Sequence, residues 1–271
     1  MSEQVADLTT TAELACVDGA LVPAEEATIP ATDEGLLRGD GAFEVIRVYA
    51  GRPFALVDHL DRIERSAANL RLEGVPRAEL EAEIPQLLEA RGGAEFEGCL
   101  RIVLTRGGRR LLLTEPLPVA AERIRLGVVE YAPTRVLDAV KSLSYGANML
   151  AGRVARERGY DEALLVTPHG RVLEAPTSSL FWADAQGVLC TPPLSEHILA
   201  SITRARVMEL VETEERVCTM DDLRAGTEAF LASTTREVQS ISTIEDIELP
   251  EGERTREAAA RLRARIEEEL G

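Results

Sequence analysis

Lysine is nearly absent from this chain. Of 30 basic residues in 271, Lys141 is the one lysine and the other 29 are arginine. Basic charge as a whole is short: 47 acidic residues against 30 basic give a net charge of -17. That balance repels phosphate backbones, and no basic stripe offsets it, so nucleic acid is excluded as a partner class. Cysteine is sparse and scattered. Cys16, Cys99, Cys190 and Cys218 form no C-x-x-C pair, which argues against a metal cluster and for reduced thiols in the core. The histidines His59, His169 and His197 are equally dispersed and show no metal-ligand spacing, so no metal site is expected. No apolar run approaches the ~18 residues of a membrane span. The start, Met-Ser-Glu-Gln-Val-Ala-Asp, has neither a basic nor an apolar leader segment, so the expectation is a soluble, cytoplasmic protein with no membrane partner. With 45% hydrophobic and 28% charged residues, the chain reads as globular and long enough for one large or two smaller domains.

The lone lysine stands out against this background. A guanidinium, with a pKa above ~12, stays charged, whereas burial or a neighbouring charge can bring a lysine amine to neutrality, and the neutral amine attacks carbonyls. Lys141 is therefore a candidate Schiff-base lysine. A compositional remnant on the surface explains the count equally well, so the surrounding residues must decide.

Two short apolar runs around Asp18-Gly19 predict a hairpin over residues 14–22. Gly35, Gly39 and Gly41 predict a turn before a strand that runs through Tyr49. Ala50-Gly-Arg-Pro leads to a partner strand, Phe54-Ala-Leu-Val, and Asp58 is the expected N-cap of a helix with Leu60, Ile63, Ala67 and Leu70 on one face. On that helix Arg62 lies beside the apolar face, from which it can reach an anion. A second helix from Pro76 to Arg91 contains Pro85, which predicts a bend or break. After the strand Cys99–Thr105, Arg106-Gly-Gly-Arg-Arg110 is a loop suited to gripping a carboxylate, or else an ordinary exposed basic turn. Pro116-Leu-Pro-Val-Ala-Ala-Glu122 reads as an interdomain link. Beyond it come a strand over 124–131, a helix over 146–158 with Met149, Leu150 and Val154 inward, and strands near 163–166, 178–183 and 188–191. The strand near 163–166 turns at Pro168-His-Gly and returns through Glu174. Ser201-Ile-Thr203 opens a helix containing Val207, Leu210 and Val211, Thr227–Ala232 is a strand, and residues 254–269 form a helix through Ala258, Leu262 and Ile266. Closely linked strands favour a curled, mainly antiparallel or mixed sheet.

Six stretches, in this order, resemble the class IV, fold-type IV pyridoxal-phosphate aminotransferases: Gly39-Asp-Gly-Ala-Phe-Glu44, Asp58-His-Leu-Asp-Arg-Ile63, Lys141-Ser-Leu-Ser-Tyr145, Val172-Leu-Glu-Ala-Pro-Thr-Ser-Ser-Leu-Phe181, Ile198-Leu-Ala-Ser-Ile-Thr-Arg204 and Ala232-Ser-Thr-Thr235. That group includes branched-chain and D-amino-acid aminotransferases and aminodeoxychorismate lyase. The resemblance implies a two-domain fold of the α+β or α/β class. A small N-terminal domain of sheet and helix spans 1–118, an interdomain linker and first C-domain strand span 119–134, and a larger pyridoxal-phosphate-binding domain with a mixed, barrel-like sheet spans 135–271, with the site at the domain interface. It implies pyridoxal 5'-phosphate as cofactor, an amino acid and a 2-oxo acid as substrates, and a homodimer.

By the same resemblance, Lys141 forms the aldimine with the cofactor aldehyde, Glu174 pairs with the pyridine nitrogen and Arg62 holds the phosphate. Tyr145 lies near the ring hydroxyl and Leu199 packs on the ring. Ser201, Ile202 and Thr203 at a helix start, with Thr234, complete the phosphate cradle, a placement that helix-end amides favour. Phe43, Arg109, Arg110 and Thr235 face the substrate. Phe43-Glu44 and Val-Ile-Arg47 resemble the transaminases, whereas Thr105-Arg-Gly-Gly-Arg-Arg110 resembles both the lyase and the D-amino-acid enzymes. Arg38 and Ser179 depart from the usual pattern and leave the substrate pocket open, and Arg38, Arg47 and Arg106 remain further candidates for the substrate carboxylate. Three functions follow: a ping-pong transaminase of branched-chain or D-amino-acid type, a lyase releasing pyruvate, and a non-catalytic cofactor-binding protein.

Overall fold

The computed structural model describes residues 12–119 and 121–271. Their contacts divide into two compact units, the first running to Pro118 and including Lys141–Leu143, the second made of Val119–Val140 and Ser144–Gly271.

The first unit is a six-stranded antiparallel sheet covered by helices. Its elements are β1 (Leu14–Val17), β2 (Ala20–Pro23), α1 (Glu34–Arg38), β3 (Gly41–Tyr49), β4 (Arg52–Pro53), α2 (Leu56–Leu70), α3 (Arg77–Arg91), β5 (Gly98–Thr105) and β6 (Arg110–Glu115). The sheet order is β2-β1-β6-β5-β3-β4. At the first hairpin Val17 pairs with Ala20, and Asp18 and Gly19 take φ of 49° and 93°. Those are the two positive values a type I′ turn requires, which is why Asp-Gly stands there. Along β3 the side chains alternate, and Ala42, Ile46 and Val48 enter a core with Leu60 and Ile63 of α2, Leu80, Ile84, Leu87 and Leu88 of α3, and Leu100, Ile102 and Leu112 of the neighbouring strands.

Four expectations are corrected here. The glycine-rich stretch contains α1, with Asp33 accepting from the Gly35 amide and Gly39 closing the helix at φ 68°. The partner strand is only the two residues of β4, and α2 begins at Leu56 after Ala55 at φ 53°, so Asp58 sits in the first turn and is not the N-cap. A carboxylate there still faces the positive end of the helix dipole. Finally, α3 runs unbroken through Pro85. One interior proline costs ~3 kcal/mol, while each fully buried leucine or isoleucine returns about 1.5–3 kcal/mol, and α3 buries four of them.

The second unit is built on an eight-stranded mixed sheet. Its elements are β7 (Arg123–Glu130), α4 (Gly146–Glu157), β8 (Glu162–Val166), β9 (Ser179–Ala183), β10 (Leu189–Thr191), α5 (Ile202–Leu210), β11 (Glu214–Glu215), α6 (Met220–Ala225), β12 (Glu228–Ser233), β13 (Glu237–Ile244), β14 (Ile247–Glu248) and α7 (Glu253–Leu270). The order is β11-β10-β9-β12-β13-β7-β8, with β14 on β13. The pairs β10–β11, β13–β7 and β7–β8 are parallel, and β9–β10, β9–β12, β12–β13 and β13–β14 are antiparallel. Strand β8 is buried on both faces: Leu164 and Val166 join a core with Leu180, Trp182, Leu231 and Ile241, while Ala163 and Leu165 join another with Ala151, Ala155 and Ile198.

Helix α4 reverses its expected orientation. Ala151, Gly152 and Ala155 are buried, whereas Met149 and Leu150 are 38% and 55% exposed and Val154 is half-buried. The cause is close approach: α4 packs on β7 and β8, and a Cβ at Gly152 would lie 2.8 Å from Glu162 Oε1. Only small residues fit at that spacing. Helix α7 follows expectation, burying Ala258, Leu262 and Ile266. Its first turn is capped by the buried Glu228, which accepts from the Thr255 amide and hydroxyl at 2.7 and 2.6 Å. All four cysteines are buried and free, and no helix among the described residues is long and apolar enough to cross a membrane.

Candidate active site

In the first unit, Lys141–Leu143 add a short extension to β3 beyond the reach of β4. Phe43 N donates to Lys141 O at 3.0 Å and Leu143 N to Gly41 O at 2.9 Å. Gly41 sits where a Cβ would run into the backbone carbonyl of Leu104 on β5 and meet Leu143 Cδ1 at 2.6 Å, so only glycine fits there. Lys141 N also donates to Ser66 Oγ of α2 at 3.1 Å. The lysine backbone is thus tied to both strand and helix. Its Nζ stands 4.2 Å from the centroid of the Phe43 ring, a cation–π distance.

Beneath this lies a buried ionic cluster. Glu44, fully inaccessible, accepts from Arg62 Nε at Oε1 and from Arg62 Nη2 at Oε2, both at 2.6 Å, and His59 Nδ1 lies 2.7 Å from Oε2. Burial alone would raise the Glu44 pKa. The hydrogen bond and charge of Arg62, and then those of His59, overcome it and hold the carboxyl at about 2. Burial pushes His59 down; Glu44 opposes this, and the charges of Arg62 and Lys141 add to it. An ionised Glu44 carries no proton to give, so His59 Nδ1 is the donor between them. His59, Arg62 and Ser66 share one edge of α2 at helical spacing, and that edge holds Glu44 through the first two and the Lys141 amide through the third.

The arginine loop is matched by the unit's own carboxylates. Arg106 pairs with Asp40 and donates to Leu70 O at 2.8 Å. Arg109 Nη1 reaches Asp18 at 2.6 Å, and Arg110 makes a two-point contact to Glu83 at 2.7 and 2.5 Å. Arg47 pairs with Glu97 and Arg38 with Glu34. Sequence reasoning passed over Arg101. Its guanidinium lies 5.5 Å from the Phe43 ring and holds Glu115 at 2.7 and 2.9 Å. Its one sequence signal is its place two residues before Val103, the β5 partner of Phe43, which puts both side chains on one face.

In the second unit, β8 turns at Gly170 and returns, with Leu165 N donating to Glu174 O at 2.9 Å. The Glu174 carboxylate accepts from Leu199 N at 3.1 Å, so the structure brings these two together. Tyr131 stands near them, its hydroxyl pushed up by burial and by the Glu174 charge. Tyr145 donates to Pro176 O at 2.6 Å, two residues beyond Glu174. Ser201 is the N-cap of α5, its Oγ accepting from Arg204 N at 3.2 Å, and Ile202 and Thr203 form the first turn. The amides at such a start have no helical acceptor, which makes the end of α5 receptive to an anion. Helix α5 packs on β12, and β12 leads into the turn that carries Thr234 and Thr235. No group of three or more metal-ligating residues occurs among the described residues.

The model of the class IV amino-transferase family matches residues 41–244. A D-alanine aminotransferase of Bacillus licheniformis is 30% identical over 250 residues, 84% of this chain and 87% of that protein. A fold IV transaminase of Curtobacterium pusillum superposes with a TM-score of 0.84 at 30% identity, covering 96% of this chain and 100% of that one. A branched-chain aminotransferase of Thermoproteus uzoniensis superposes at 0.87 with 29% identity over 94% and 95% of the two chains. This chain belongs to the class IV aminotransferases, fold-type IV enzymes that depend on pyridoxal phosphate.

Proposed function

We propose that the chain moves an amino group between an amino acid and a 2-oxo acid, of branched-chain or D-amino-acid type, with Lys141 as the catalytic amine. The observation that carries this reading is the placement of the only lysine: its backbone is fixed to β3 and α2, and Nζ stands over Phe43.

The residues fit the cofactor. An aldehyde calls for a primary amine, and Lys141 is the one side chain that offers it. A phosphate dianion suits the Arg62 guanidinium, the α5 start at Ser201, Ile202 and Thr203, and the Thr234 hydroxyl. A protonated ring nitrogen suits Glu174, whose carboxylate is already oriented by the Leu199 amide. Tyr145 suits the ring hydroxyl and Leu199 the ring face. When bound, pyridoxal phosphate supplies the electron sink for the pair left when the substrate α-proton departs.

This chain's residues do the rest. Lys141 Nζ takes the proton from the substrate α carbon, and the phosphate ligands keep the reacting parts fixed in place. Phe43 and Thr235 face the substrate. For its carboxylate, Arg109 is preferred to Arg110, because the side chains of Arg109 and Asp18 are 41% and 32% exposed while those of Arg110 and Glu83 are 15% and 11% exposed. An exposed pair exchanges partners at little cost; a largely buried one does not.

A panel of L- and D-amino acids, added singly to the cofactor-loaded protein and followed by visible absorbance, tests the reading. One amino acid should change the spectrum and a 2-oxo acid should restore it, and the responding enantiomer fixes the handedness. Pyruvate released from aminodeoxychorismate without an acceptor would make the chain a lyase. A spectrum that responds to no amino acid would remove catalysis.

A further inference from the structure

The turn between β12 and β13 is held from below by a partly buried ion pair. Ser233 pairs with Glu237, so Thr234, Thr235 and Arg236 form the tip. The first two are half-buried, and Arg236 turns back into the unit. Its Nη2 donates to Glu162 Oε2 at 3.2 Å and its Nη1 to Gln239 Oε1 at 2.5 Å. Glu162, at the start of β8, is 8% exposed, and Gln239, on β13, is 5% exposed. Neither partner is loose. Glu162 Oε1 also accepts from Ala163 N at 3.0 Å and presses on α4 at Gly152, where the Arg156 guanidinium lies close by, while Gln239 Nε2 donates to Ala121 O at 2.5 Å.

This arrangement does more than satisfy a buried charge. The arginine sits next to Thr235 in the chain, its own amide donates to Ser233 Oγ at 3.4 Å, and its planar fork is fixed at two points on different strands. A three-residue tip held only by its two strand ends retains freedom to rock. Clamping its third residue to β8 and β13 removes that freedom for the two threonines before it.

We propose that Arg236 and Glu162 are positioning residues that fix the Thr234–Thr235 turn for the phosphate of the cofactor. The inference rests on the reading above that Thr234 belongs to the phosphate cradle. Neither member of the pair touches the phosphate. They act through the turn.

The test compares the affinity of the full chain, freed of cofactor, for pyridoxal phosphate and for pyridoxal. Both ligands carry the same ring and aldehyde, so the ratio of the two dissociation constants isolates the phosphate. Arg236→Gln and Glu162→Gln should each lower the preference for the phosphorylated ligand by about tenfold, the scale of one charge-assisted hydrogen bond. Arg236→Lys, which keeps the charge and loses the fork, is the milder variant should the others fold poorly, and it should lower the preference less. Thr234→Ala should lower it too. A lower melting temperature with an unchanged ratio in the Arg236 and Glu162 variants would show a purely structural pair and overturn the proposal, even if Thr234→Ala lowered the ratio. A ratio that falls in the Arg236 variants but not in Thr234→Ala would also overturn it, because Arg236 would then act on the phosphate directly. A ratio unmoved in every variant would overturn the proposal together with the placement of Thr234.

Discussion

Arg62 grips Glu44 with two parallel hydrogen bonds of 2.6 Å, in a place where the carboxylate has no access to solvent. Such a pair is weak evidence for stability when compared with an apolar core, but removing one member strands the other's charge, at a cost of about 3–5 kcal/mol. Glu44→Gln should lower unfolding stability by about that amount at pH 7, as measured by urea titration. Folding holds the Glu44 carboxyl at about 2 against an ordinary 4.5, so its contribution is complete above pH 4.5 and is lost as the pH falls towards 2. The gap between wild type and variant should therefore narrow in acid, and a gap that stays constant from pH 7 to pH 3.5 would contradict the pairing.

The arginine loop separates into a stabilising residue and an adaptable one. Arg110→Ala breaks the contact to Glu83 across β6 and α3 and should lower the melting temperature. Arg109→Ala loses only an exposed pair worth about 0–1 kcal/mol. It should leave stability nearly unchanged and raise KM for a dicarboxylate such as 2-oxoglutarate. An unchanged KM would take Arg109 out of substrate binding, and Arg101→Ala would be the next variant to measure.

Ser201 caps α5 through its hydroxyl. Ser201→Ala should cost about 1 kcal/mol of stability, the usual loss for such a cap. If the end of α5 meets the phosphate, Ser201→Ala should also weaken pyridoxal phosphate binding more than pyridoxal binding. Equal weakening of both would place the phosphate elsewhere.

Helix α4 gives a packing prediction opposite to its sequence pattern. Leu150→Ala changes an exposed side chain and should be close to neutral, while Ala155→Leu forces a large residue into a completely buried position and should cost about 1–3 kcal/mol. Thermal unfolding of the two variants decides between this face and the one that the larger residues suggest.

That contrast shows why some of the molecule could be read in advance and some could not. Asp18-Gly19 dictates its turn by local backbone geometry, and the spacing of Leu60, Ile63 and Ala67 dictates the buried face of α2, so both were legible. On α4 the large apolar residues suggest the core face, but the controlling quantity is how closely the helix approaches β8, which no local pattern encodes. The unbroken course of α3 through Pro85 likewise depends on burial supplied by distant strands. At the site, the lone Lys141 and the order of the six motifs were visible in the chain. The partners were not: Glu44 lies 18 residues from Arg62 and Glu162 lies 74 from Arg236, and only folding sets them against each other.

The most direct measurement is borohydride reduction of the cofactor-loaded protein, followed by peptide mapping. The account predicts a single pyridoxyl label, on the peptide containing Lys141, and no label after Lys141→Arg, which keeps a positive charge but cannot attack an aldehyde. An unlabelled Lys141 in the native chain, or the same label surviving in the arginine variant, would contradict it.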